Sequence, residues 1–171
     1  DSRQRIYPSQ GSEELTPLSA VFALSFINKI IPSNPISERY FLLNWDKKGP
    51  RKVGNVPGTA FLIRKNLFER IGKFDENFFL YFEEFDLCKR IRKLGYDLFV
   101  LPSSRIVHFW GRSTNKSSLN IKEIFSKSKF YYFKKHYGIF SAVVVQFITG
   151  LSKLHLFLTL VCERIFWVLH C

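Results

Sequence analysis

The sequence predicts an α/β fold, and three observations point there. Short apolar runs of strand character alternate with helical patterns between Val56 and Trp110. The chain has 171 residues, 46% of them hydrophobic, enough for one domain with a real core. Aromatic residues make up 17%, which excludes a disordered segment.

The elements follow in order. Residues 1 to 55 are weakly patterned and are expected to hold one helix in the apolar run LSAVFALSFINKII, a break at Pro32 to Pro35, and a loop, DKKGPRKVGN. VPGTAFLIRK reads as a loop entering a short buried strand, Thr59 to Ile63, with Gly58 permitting close approach to a ligand. NLFERIG reads as a short helix closed by Gly72. From about Phe82 to Leu94, Leu87, Ile91 and Leu94 recur at helical spacing, and Gly95 ends the helix. YDLFVLP and RIVHFW read as two β-runs, the second placing Ile106, His108 and Trp110 on one side.

Residues 116 to 135 are polar and basic, and from Ile139 the chain turns apolar. A bilayer crossing needs roughly 20 predominantly apolar residues, whereas Gln146, Thr149, Gly150 and Lys153 recur at i, i+3, i+4 and i+7 here. That narrow polar stripe on an apolar helix predicts a segment lying in a membrane interface. A helix pair packed within a larger protein is the other reading. The expected division is residues 1–138 as a folded unit and 139–171 as a membrane-associated helical tail.

Charge is segregated. The formal net charge is +12, which predicts an anionic partner: nucleic acid, phospholipid headgroups or a phosphorylated substrate. Nevertheless Asp75, Glu76, Glu83, Glu84 and Asp86 concentrate acids in one short stretch. Rings beside lysines in FYYFKKHY could stack bases, but no nucleic-acid motif accompanies them, and the basic tract runs into an apolar helix. Nucleic acid is therefore not an expected partner. Cys88, Cys162 and Cys171 form no CxxC pair and read as reduced thiols facing the cytoplasm.

YFEEFDLCKR carries the candidate chemistry. As structure, acids in the first turn of a helix are favoured by its dipole, and Asp86 can pair with Arg90. As function, carboxylates walled by rings gain proton affinity and suit a general base near neutral pH. His108 is a second candidate, as a metal ligand or a structural histidine. Arg112 and Ser113 could bind phosphate or cap the next segment.

The series PGTAFLIRKNLFERIGKFDENFFLYFEEFDLCKRIRKLGYDLFVLPSSRIVHFWGRST, with RQRIYPS and KKHYG at its flanks, resembles the downstream half of a family 2 glycosyltransferase of GT-A fold, of the bacterial rhamnosyltransferase-like kind. The resemblance implies the acceptor-side half of that α/β fold, followed by membrane-interface helices. It implies inverting transfer from a nucleotide-diphospho-sugar to a saccharide or lipid-linked saccharide in envelope polysaccharide synthesis.

Residue by residue, Glu83 and Glu84 occupy the family's glutamate–aspartate pair and Asp86 its following aspartate. Glu84 departs by one methylene and is the assigned base, with Glu83 and Asp86 as alternatives. Gly58, Thr59 and Ala60 would line the acceptor side, with Arg112 and Ser113 also binding substrate. His108 would help hold a divalent ion, Mg²⁺ or Mn²⁺, whose other ligands belong to an upstream nucleotide-binding half. With that half not preceding Asp1, the chain alone is expected to be inactive. The implied place is the cytoplasmic face of the bacterial inner membrane, peripheral, with Lys127 to Lys135 among anionic headgroups. The rival from another class is a non-catalytic, basic membrane-surface binding module.

Overall fold

The structure is a computed structural model that describes residues 10–108 and 119–170, with side chains of the last helix described as far as Leu151. In chain order the elements are α1 (Pro17–Leu24), α2 (Ile27–Ile30), α3 (Pro35–Tyr40), β1 (Arg51–Val53), α4 (Lys65–Arg70), α5 (Glu83–Lys93), β2 (Leu98–Val100) and α6 (Ile121–His170). The mixture of helix and strand is compatible with the α/β class.

Local chemistry sets the boundaries. Thr16 caps α1 by accepting from the Ser19 backbone N–H, Ser19 reciprocates, and Pro17 opens the first turn. Asn34 caps α3 by accepting from the Ser37 backbone N–H, and Pro35 opens its first turn. The single helix expected in the first 55 residues is therefore three. Ser25 is fully extended (φ −106°, ψ 179°), and Ile31, held out of the helical region by Pro32, stops α2. Helices α4 and α5 fall where expected, followed by Gly72 and Gly95 at positive φ.

Strand β1 lies in the stretch read as a loop. It pairs antiparallel with β2, Arg51 facing Val100, Lys52 facing Phe99 and Val53 facing Leu98. The expected strand Thr59 to Ile63 is not formed, because among the described residues no neighbouring strand pairs with it; Leu62 stands 99% exposed. The described part of RIVHFW, residues 105–108, is likewise irregular and exposed, and Phe109 and Trp110 lie outside the described residues.

Two apolar clusters meet at α5. Leu15, Ala20, Tyr40, Phe78, Phe82, Tyr132, Phe133, Ala142 and Val145 share one. Leu42, Val53, Leu87, Cys88, Ile91 and Leu98 form the other. Each fully buried Leu, Val or Phe side chain contributes about 1.5–3 kcal/mol, so α5, supplying residues to one cluster and following directly on Phe82 of the other, is fixed from both sides.

Helix α6 is interrupted at Gly138 (φ 85°, ψ 167°), a backbone that L side chains rarely adopt. Gln146 donates to Ser126 Oγ and Lys129 donates to Thr149 Oγ1. Twenty residues of straight helix would separate those partners by about 30 Å, so the two halves of α6 fold against each other. Of the polar stripe, Gln146 and Thr149 face the preceding half, where they find partners, and Thr149 is buried. Gly150 of the stripe is exposed, together with Ile139, Phe140, Val143 and Phe147. Lys153 lies beyond the described side chains. Among the described residues no helix is long and apolar enough to cross a membrane.

Candidate functional site

The entrance to α5 is strained. Tyr81 and Phe82 both sit at φ 68°, in the left-handed region that costs a bulky residue about 1–3 kcal/mol. Packing holds them: Phe82 is 2% exposed, its ring 5.1 Å from Phe125, 5.5 Å from Phe85 and 5.8 Å from Tyr132, while Tyr81 meets Phe125 edge-on. The strained pair delivers Glu83, Glu84 and Asp86 into the first turn of the helix.

The three acids have different surroundings. Burial, reinforced by the charge of Glu83, pushes the Glu84 carboxyl up to about 7. Burial also raises Glu83. Each retains one buried oxygen, Oε2, without a hydrogen-bond partner. Glu84 faces Gly58: a Cβ at that glycine would lie 3.8 Å from Glu84 Cβ. The structure thus brings together Glu84, Glu83 and Gly58, with Thr59 and Ala60 exposed directly after it. A carboxyl whose proton affinity is raised toward neutral pH by burial, with an unpartnered oxygen, is equipped to accept a proton.

Asp86 is wholly buried and fully engaged. Its Oδ1 accepts from Lys135 Nζ at 2.6 Å and from His136 Nε2 at 2.8 Å, and its Oδ2 accepts from Arg90 Nε at 2.8 Å. Burial alone would raise its affinity for a proton. The hydrogen bonds from His136 and Lys135 and the charge of Arg90 prevail and hold it below the usual aspartate range.

Around this node, Arg90 also donates to the carbonyls of Ile71 and Lys73, pinning the turn after α4. Lys135 reaches Asp75 at 2.7 Å, and Tyr131 donates to the same carboxylate at 3.0 Å. A second polar cluster joins the amino-terminal segment to α5 and α6. Glu14 binds Lys89, accepts from Arg92 Nη1 at 2.7 Å and accepts from Tyr137 at 3.1 Å, and the Lys89 ammonium lies 4.1 Å from the Tyr137 ring centre. The hydrogen bond from Arg92 is the main cause that brings Glu14 down to about 2.

Sequence reasoning did not foresee the roles of His136, Lys135, Asp75 and Glu14. The signal for the first two lay in KKHYG, where charged residues interrupt an aromatic helix face; Glu14, distant in the chain, carried none. His108 is exposed, and among the described residues no three His, Cys, Asp or Glu side chains gather as a metal-binding group. One imidazole does not fit the oxygen-rich shell of Mg²⁺ or Mn²⁺. Arg112 and Ser113 lie outside the described residues.

No family model matches the chain, and no solved structure matches it. Among curated proteins, 66 residues, 39% of this chain, are 36% identical to the N-acetylglucosaminyl-diphospho-decaprenol L-rhamnosyltransferase of Mycobacterium tuberculosis, covering 22% of that protein. A stretch of 52 residues, 30% of the chain, is 35% identical to rhamnosyltransferase WbbL of Escherichia coli, covering 20% of it. A stretch of 75 residues, 42% of the chain, is 36% identical to the inactive polypeptide N-acetylgalactosaminyltransferase-like protein 5 of Macaca fascicularis, covering 17%. The chain is therefore related to glycosyltransferases, and it spans about a fifth of the length of these curated relatives.

Proposed function

We propose that the chain supplies the acceptor side and the catalytic base of an inverting sugar transferase acting in bacterial glycan synthesis. Its donor is a nucleotide-diphospho-sugar, and its acceptor a saccharide or lipid-linked saccharide. The observation that carries this reading is Glu84: a carboxyl with raised proton affinity and one unpartnered oxygen, beside a residue without a side chain. The relatives named as rhamnosyltransferases support a sugar donor and a saccharide acceptor.

In this account an acceptor hydroxyl approaches over Gly58, and the Glu84 carboxylate takes its proton as the oxygen attacks the anomeric carbon. The carbon–oxygen bond forms on the face opposite the departing nucleotide diphosphate, so the configuration inverts. Glu83, whose charge helps raise Glu84, tunes the base, while Asp86 keeps the helix in place. Family 2 membership and the GT-A fold belong to the same proposal. No step is routed through a divalent ion, since the described residues do not by themselves fit one.

Positioned general bases contribute about 10²–10⁴-fold. In the full-length protein, Glu84→Gln is expected to cut turnover of nucleotide-sugar by about a hundredfold or more, with acceptor KM little changed. Retention of full activity by Glu84→Gln, with loss in Glu83→Gln, would move the base to Glu83. The inactive relative favours a second reading, a non-catalytic module; sugar transfer by the wild-type full-length protein excludes it.

A further inference from the structure

Folding the two halves of α6 together leaves an apolar surface that the sugar-transfer reading does not use. Phe140, Val143 and Phe147, at i, i+3 and i+7, are 79%, 52% and 66% exposed, with Ile139 exposed beside them at the turn. The surface crosses both halves. Phe130 from the first half joins Val143, Gln146, Phe147, Gly150 and Leu151 from the second around a groove of about 410 Å³.

The charges around it identify what covers it. Residues 139–151 carry no Lys, Arg, Asp or Glu. The preceding half carries Lys122, Lys127, Lys129, Lys134 and Lys135 against Glu123. Lys127 and Lys134, three before and four after Phe130, share its helix face, and both are exposed. An exposed apolar stripe bordered by lysines complements a layer with apolar chains beneath anionic headgroups. A second copy of this chain would bring like-charged borders together, and a polynucleotide would leave the rings uncovered.

We infer that this hairpin face, Phe130, Ile139, Phe140, Val143 and Phe147 with Lys127 and Lys134 at its border, docks the protein onto an anionic phospholipid surface. The inward-turned Gln146 and Thr149 hold the hairpin closed while the rings enter the headgroup boundary. The docking surface and the Asp86 node are built on one helix, since Lys135 and His136 stand next to Lys134. The inference does not rest on the chemistry assigned to Glu84.

The test is sedimentation of the full-length protein with phosphatidylcholine vesicles, with and without about one third phosphatidylglycerol. Binding is expected to the anionic vesicles and to weaken with salt. Phe140→Glu with Phe147→Glu should lower partitioning about tenfold or more, with an unchanged thermal transition, because both rings are already exposed. Lys127→Gln with Lys134→Gln should erase the preference for anionic vesicles. Wild-type partitioning by the phenylalanine variant overturns the inference. So does conversion of a dimer to a monomer by that variant without vesicle binding in the wild type, which would make the face a contact between copies.

Discussion

His136 Nε2 lies 2.8 Å from Asp86 Oδ1, tying a residue just before the break in α6 to the first turn of α5. An ionised aspartate is acceptor only, so the imidazole donates through Nε2. With Lys135 on the same oxygen and Arg90 on the other, Asp86 accepts from three basic side chains in a buried place.

That arrangement predicts a large penalty for removing the charge. Breaking a buried ion pair typically costs about 3–5 kcal/mol. Partial exposure of Lys135 and Arg90 lowers the expected loss for Asp86→Asn to about 2–3 kcal/mol. Because the folded-state affinity of Asp86 is depressed, its contribution is present above the unfolded value near 3.8 and lost as pH falls further. Thermal melts of wild type and Asp86→Asn should differ most at neutral pH and converge in acid. Equal melting temperatures at pH 7 would show that the node carries no stability.

Glu84 should behave in the opposite sense. Its folded value, about 7, lies above the ordinary glutamate value of 4.5, so this group penalises folding as pH rises from about 4.5 to 7 and no further beyond. At about 1.4 kcal/mol per unit, the penalty is up to roughly 3 kcal/mol. Glu84→Gln is therefore expected to raise the melting temperature at pH 8 and to leave it unchanged near pH 4, while cutting sugar transfer about a hundredfold or more. A variant that melts lower than wild type at pH 8 would show the carboxylate to be structurally stabilising.

Glu14 anchors the amino-terminal segment. Its side chain is 32% exposed, so Glu14→Gln is expected to cost about 1–2 kcal/mol, less than a fully buried pair. Arg92 Nε and Nη2 already lack partners, and the variant weakens the only strong acceptor that Arg92 has among the described residues. The local consequence is faster proteolysis near residues 10–16, measured by timed digestion and mass spectrometry. Unchanged cleavage there would mean that Leu15 and the α1 cap hold the segment without the ion cluster.

What the sequence disclosed divides along a physical line. Helices α4 and α5 were legible because spacing and a terminal glycine are local signals. The base candidate was legible because three acids among rings violate the usual cost of burial. Thr59 to Ile63 has strand composition, yet a strand exists only where a neighbour supplies hydrogen bonds, and composition does not reveal the neighbour. The direction of Gln146 and Thr149 is hidden from the sequence for a related reason. Periodicity finds a stripe, whereas the Gly138 break decides which side of the helix meets protein. The links from Glu14 to Lys89 and Asp86 to His136 span 75 and 50 residues, beyond any local pattern.

The left-handed pair Tyr81–Phe82 has a consequence for how this site can vary. The direction in which α5 emerges is fixed by rings behind the acids, among them Phe125 and Tyr132 of α6. Glu83 and Glu84 can be exchanged there without moving the backbone, whereas trimming one of those rings releases the torsion and turns the whole helix entrance. The aromatic wall acts as the jig, and the acids are the tools it holds.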